Sequence, residues 1–214
     1  MNNMVQFRIE KIVALCLCLL PCHFVLGQTK AIDLGLSVKW ADCNVGAEHP
    51  WDAGMYFLWG DPSGQKDAAE VFVDVDTIGD IVDSPKDIAK VNMGGNWRMP
   101  TSDELKELKE NCIWEVECRN NVLGFKVTGK NGASIFVPAI GGYDRGVFRT
   151  DQGAGLWSGC LNQKWKKIDF MLLWVRESNI AKDGLYTGRV EVRQATMRYK
   201  FNVRAVCNND KNDI

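Results

Sequence analysis

From Ile12 to Leu20 the chain is an almost unbroken apolar run, with Arg8 and Lys11 before it and Pro21 and Val25-Leu26-Gly27 after it. A basic start, an apolar centre and a small residue before a cut are the layout of a secretory signal peptide. The 15 residues from Ile12 to Leu26 fall short of the roughly 20 that a membrane-spanning helix needs. Residues 1–27 are therefore read as a leader, and the fold is sought in one domain over residues 28–214. Attachment of a lipid is disfavoured, because Cys22 follows Pro21 and Cys18 follows Leu17 rather than a small residue. The leader makes the expected location secreted, periplasmic or on the cell surface, and no segment of the mature chain is long and apolar enough to cross a membrane.

Export changes the meaning of the cysteines. Cys43, Cys112, Cys118, Cys160 and Cys207 remain after cleavage. In an oxidising compartment thiols tend to pair, and an odd number leaves one over; spacing alone does not give the connectivity. The formal charge of −1 leaves no electrostatic footprint for nucleic acid. Lys164, Lys166 and Lys167 cluster locally beside Trp165 and read as a solvated loop.

Turn residues punctuate the mature sequence, and helical stretches are few. Short strands are predicted at Leu36–Ala41 and Gly54–Trp59. A long acidic loop over residues 61–83 follows, carrying Asp61, Asp67, Glu70, Asp74, Asp76, Asp80 and Asp83. Ser84-Pro85-Lys86-Asp87 offers a hydroxyl cap and a proline at the first helical position. Ile88 and Val91 would be that helix's buried stripe, and Gly94-Gly95 its end. Thr101-Ser102-Asp103-Glu104 has the form of a capping box, with Leu105, Leu108 and Cys112 on one face of the helix it opens. Strands are then predicted at Gly124–Thr128 and Ala133–Val137 around Asn131-Gly132, a favoured hairpin dipeptide. Further strands are predicted at Leu156–Ser158, Ile168–Val175, Leu185–Val192 and Tyr199–Val206. The class expected is α+β.

An ordered series of motifs carries a family resemblance. It opens with Ala31-Ile32-Asp33-Leu34-Gly35-Leu36-Ser37-Val38-Lys39-Trp40-Ala41 and continues through Cys43-Asn44-Val45-Gly46-Ala47 and Gly54-Met55-Tyr56-Phe57-Leu58-Trp59-Gly60. Gly94-Gly95-Asn96-Trp97-Arg98-Met99-Pro100-Thr101, Ile135-Phe136-Val137-Pro138-Ala139, Gly142-Tyr143 and Leu156-Trp157-Ser158 follow. This series resembles the Fibrobacter succinogenes major paralogous domain of exported Bacteroidetes proteins. The resemblance implies a C-type-lectin-like or formylglycine-generating-enzyme-like fold: a small twisted antiparallel sheet, two helices and long loops. It also implies a pairing of Cys43 with Cys112. Two departures stand out, Trp157-Ser158-Gly159-Cys160 where a serine-rich segment is usual, and a reduced ending at Asn202-Val203-Arg204-Ala205-Val206.

Little in the mature chain suggests catalysis. His49 is its one histidine, and it sits in Ala47-Glu48-His49-Pro50, which reads as a surface turn. One imidazole cannot build a multi-histidine zinc site. The acidic loop could hold calcium, which prefers oxygen ligands, but its spacing is not that of an EF-hand, so no metal and no cofactor are expected. Trp40, Trp59, Trp97 and Trp157 are expected in the core. Tyr143, Asp144, Arg145 and Arg149 fall in a Gly-rich region expected to form loops, and Trp165 stands among solvated residues. These five are the candidate ligand-binding residues, since binding concentrates on loops held by a scaffold. The expected function is a non-catalytic extracellular or cell-surface binding or adhesion module for a glycan or surface protein. The alternative is a structural subunit of a surface or fimbrial assembly.

Overall fold

The structure, a computed structural model, describes residues 29–66, 78–151, 153–177 and 186–209. The leader, Asp67, Glu70, Asp74 and Asp76 of the acidic segment, and Leu185 lie outside them. In chain order the first strands are β1 (Ala31–Ile32), β2 (Val38–Asn44) and β3 (Phe57–Leu58), followed by the helices α1 (Ile88–Met93) and α2 (Ser102–Asn111). Next come β4 (Ile113–Arg119), β5 (Val122–Thr128), β6 (Ser134–Pro138), β7 (Gly142–Asp144) and β8 (Val147–Arg149). The chain closes with β9 (Ala154–Asn162), β10 (Lys167–Glu177), β11 (Tyr186–Ala195), β12 (Tyr199–Phe201) and β13 (Arg204–Asn208). Among the described residues no helix is long and apolar enough to cross a membrane.

These strands make four small antiparallel sheets, in the orders β1-β2-β13, β11-β10-β9, β3-β12-β7-β8 and β4-β5-β6. The expected α+β, C-type-lectin-like arrangement is thereby corrected: the chain is mostly β, and the two helices among the described residues are six and ten residues long. The physical reason lies in how little each helix can cover. Ile88 and Ala89 are the buried apolar residues of α1, Leu105 and Leu108 those of α2, too narrow a stripe to roof a sheet. Tight turns do the organising instead. Asn120 and Asn121, both at positive φ (50° and 62°), close β4 on β5 with the left-handed pair that a two-residue hairpin demands. Asn131-Gly132 sits in a longer loop, because Thr128 pairs with Ser134 and residues 129–133 lie between.

Two hydrophobic clusters share one wall. Trp40, Leu156, Met171, Leu173 and Val206 face the cluster that contains α2 and the β5–β6 pair. Ala41, Trp157, Ile168, Phe170 and Ala205, from the same four strands, face the other, with Phe57, Trp59, Ile88 and Phe201. Neighbouring residues on a strand point to opposite faces, so β2, β9, β10 and β13 are buried on both sides. Trp59 and Trp157 lock this region reciprocally: Trp59 Nε1 donates to the Ser158 carbonyl and Trp157 Nε1 to the Phe57 carbonyl, each at 2.9 Å. Trp40, Trp59 and Trp157 are fully buried, and Trp97 is partly buried against the core.

α2 starts as its sequence predicts. Glu104 N donates to Thr101 Oγ1 at 3.2 Å and Thr101 N to Glu104 Oε2 at 2.8 Å. Arg98 forks onto the same carboxylate at 2.6 and 2.9 Å. Burial works to raise the Glu104 carboxyl, but Arg98 and the Thr101 amide outweigh it and hold the group below its usual range. Thr101→Ala is expected to cost about 1 kcal/mol, the worth of a capping hydroxyl, with Thr101→Ser close to wild type; urea unfolding measures both.

α1 departs from its reading. Its N-cap is Asp87, and Ser84 closes the preceding turn by accepting Asp87 N at 3.0 Å. Val91 is 53% exposed rather than part of a buried stripe. The single strand predicted over Tyr199–Val206 is split at Asn202, whose Nδ2 donates to the carbonyls of Ala53 and Met55, both at 2.9 Å. That side chain turns the backbone from one sheet to another.

Candidate binding site

Tyr143, Asp144 and Arg149 lie on a hairpin, not on the loops expected there. β7 and β8 pair through Gly142–Arg149, Tyr143–Phe148 and Asp144–Val147. The two turn residues, Arg145 and Gly146, have φ of 51° and 78°. Asparagine or aspartate is the usual first residue of such a turn; an arginine there hides it from sequence reading.

Between this hairpin and the β10–β11 pair lies a groove of about 430 Å³. Its floor is aromatic. Tyr199 and Phe201 are alternate residues of β12 and therefore share a face; their rings stack at 5.4 Å and 14°. Phe170 of β10 continues the stack against Phe201 at 4.8 Å and 21°. Two glycines allow the Phe201 ring to lie so close to the backbone. A Cβ at Gly155 would stand 2.5 Å from that ring, and one at Gly142 would stand 2.8 Å away.

Polar groups form the rim. Asp144 lies 3.0 Å from Nε of Arg198, which stacks over the Tyr199 ring at 4.8 Å and donates to its hydroxyl at 2.7 Å. Arg149 forks onto Asp151 at 2.8 and 2.9 Å, and that hydrogen-bonded pairing holds the Asp151 carboxyl below its usual range. Arg193 is bound to Glu191, and Gln194 Nε2 donates to Asp169 at 3.0 Å. Charges are thus matched in pairs along the rim, leaving a groove that is polar at its edges and apolar at its base.

Three of the five residues singled out in the sequence line this groove: Tyr143, Asp144 and Arg149. Arg145 is exposed at the hairpin turn, and Trp165 is 60% exposed at the far end of the β9–β10 hairpin; neither lines the groove. Sequence reading missed Phe170, Arg193, Gln194, Tyr199 and Phe201. Tyr199-Lys200-Phe201 carried the available signal, two aromatics on one strand face. Tyr143 also packs on its other side against Tyr56 and Phe148, at 5.2 and 5.0 Å.

The groove's described lining offers no thiol, imidazole or amine. Elsewhere, burial pushes the Cys43 thiol up to about 12 and raises Cys160 and Cys112, so these thiols are protonated at neutral pH and weak as nucleophiles. The disulfide expected between Cys43 and Cys112 is not formed: both are thiols. Cys43 is buried beside Asp42 and Arg204, whereas Cys112 caps α2 near Glu107 and Lys130. His49 is exposed and lies against Trp51, with ring centroids 4.9 Å apart. In the described part of the acidic segment, Asp61 accepts from Ser63 and Lys66, Asp80 from Leu161, and Asp83 pairs with Lys90. Among the described residues no three His, Cys, Asp or Glu side chains gather as a metal-holding group. No family model, curated protein or solved structure matches the chain, so the family resemblance rests on its motif series alone.

Proposed function

We propose that this chain is an exported, non-catalytic binding module that holds a glycan in the groove between the β7–β8 hairpin and the β10–β11 pair. The stack of Tyr199, Phe201 and Phe170 beneath a polar rim carries the reading. Sugar rings present apolar C–H faces that pack on aromatic rings, while their hydroxyls need donors and acceptors at the edge. Asp144, Arg149, Arg193 and Gln194 supply both kinds of group, and Gly142 and Gly155 leave room for the Phe201 ring against the backbone. The apolar run ahead of residue 28 supports export.

A glycan array probed with the purified protein is the first test, followed by Tyr199→Ala. Losing one face of the floor is expected to weaken binding about tenfold with little change in folding, since Tyr199 is only partly buried. Affinity unchanged by Tyr199→Ala would remove the groove as the site.

A second reading, a subunit of a surface assembly, draws on the outer side of the same hairpin. Val147 is 58% and Phe148 41% exposed there, beside Tyr56, an apolar surface of the kind that protein partners cover. Isolation of the native protein in a stable complex, without affinity for free glycans, would favour it.

A further inference from the structure

We propose that the groove is one end of a longer track along β10 that ends on Trp174, so that it takes a linear glycan chain held over several sugars rather than a terminal sugar. The inference rests on the glycan reading of the groove and names the form of glycan that fits it.

The register of the β10–β11 pair carries it. Phe170, Leu172 and Trp174 are alternate residues of β10 and therefore lie on one face. Opposite them on β11 stand Arg193, Glu191 and Arg189, and directly opposed residues share that face. The ribbon thus presents two parallel rows, one apolar and one of ion-paired side chains. Phe170, Leu172 and Arg193 already line the groove. At about 6.8 Å per alternate residue, Trp174 lies roughly 14 Å along the row from Phe170.

Trp174 adjoins the groove wall. Gly153 lines the groove, and a Cβ there would stand 3.1 Å from Trp174 Cδ1 and 3.2 Å from Leu172 Cδ1. Yet Trp174 is not a core residue. Trp40, Trp59 and Trp157 are fully buried, and Trp97 and Trp114 pack against the hydrophobic clusters. Among the described residues Trp174 belongs to neither cluster and is only partly buried. Its own strand braces it: the Arg176 guanidinium lies over the ring, 4.2 Å from the centroid.

The second row is held together as well. Glu191 binds both Arg189 and Arg193, and both arginines are half-exposed. Each meets that carboxylate through Nε, and a guanidinium carries further donors at its terminal nitrogens. An apolar face beside donors and acceptors is what one sugar ring needs. Two rows repeat that arrangement along the strand, which suits a chain of rings.

The test is binding of the purified protein to β-1,4-linked glucose, mannose and N-acetylglucosamine oligomers, each as a ladder from disaccharide to hexasaccharide. Affinity is expected to rise about tenfold along a ladder that binds, the contribution of one more aromatic face. Trp174→Ala should abolish this rise while leaving disaccharide affinity as in the wild type, and Trp174→Phe should keep part of it. Tyr199→Ala, by contrast, should weaken every length alike. Wild-type affinity that is flat with length would overturn the track without touching the groove, and that result needs no variant. So would a rise that survives in a Trp174→Ala protein whose melting temperature shows it folded. Silence of every ladder would count against the groove as a glycan site, and the track falls with it.

Discussion

Arg204→Ala is expected to lower stability by about 3–5 kcal/mol, the usual cost of breaking a buried charged network, and the melting temperature by roughly 10 °C. Arg204 is completely buried, and its fork joins three parts of the wall. Nε donates to Asn44 Oδ1 at 2.9 Å, one terminal nitrogen to the Ala41 carbonyl at 3.1 Å, and the other to the Phe136 carbonyl at 3.0 Å. Burial pushes the guanidinium down to about 10, so it remains charged at neutral pH. Truncation strands three buried acceptors at once, each worth about 1–3 kcal/mol when left without a donor. Arg204→Lys should recover part of the loss, because an ammonium can reach one or two of these oxygens but lacks the planar fork. Urea unfolding of both variants measures the difference; an Arg204→Ala protein within 1 kcal/mol of wild type would show that the network contributes little.

The second large effect is expected at Asp87, which is the mirror image of Arg204: a fully buried anion held by amides. Its carboxylate accepts Lys90 N at the start of α1 and Met99 N, each at 3.0 Å, and Asp83 N at 2.8 Å. One side chain therefore caps a helix and pins two separate loop segments. Asp87→Ala should cost about 2–4 kcal/mol, a cap plus at least one buried amide without an acceptor. Asp87→Asn should cost roughly half as much, since one oxygen is retained while the new NH2 faces an amide it cannot satisfy. Hydrogen exchange gives a local readout: Lys90 and Met99 amides should exchange faster in Asp87→Ala even under conditions where the global fold survives.

Local chemistry was the legible part of this chain. The capping box at Thr101 and Glu104 announces α2 because its partners are three residues apart and need nothing from the rest of the molecule. Glycine at position 94 ends α1 for a similarly local reason, a φ of 68°. Asp87 shows where such reading stops: its cap of Lys90 N is local, but the bonds it accepts from Met99, twelve residues on, depend on the fold. β4 was legible and overlooked: Trp114-Glu115-Val116-Glu117 alternates as a half-buried strand does, with Trp114 and Val116 packed inward. The wall strands could not show a clean alternation, since both of their faces are buried. The groove was half legible. Tyr143, Asp144 and Arg149 were found because they are close in sequence, whereas Phe170, Arg193 and Tyr199 reach the same place only through the pairing of distant strands.

The shared wall has a consequence for how this protein can change. Along β9 and β10 one residue in two answers to the half of the molecule that carries the groove, and its neighbour answers to the half beneath α2. Trp157 and Phe170 belong to the first set, while Leu156, Met171 and Leu173 belong to the second. Substitutions that reshape the groove can therefore accumulate on one register of these strands while the other register keeps its packing beneath α2. A library varied only at groove-side positions should retain folded members far more often than one varied at consecutive positions. The two registers divide the positions that shape the groove from those that pack beneath α2.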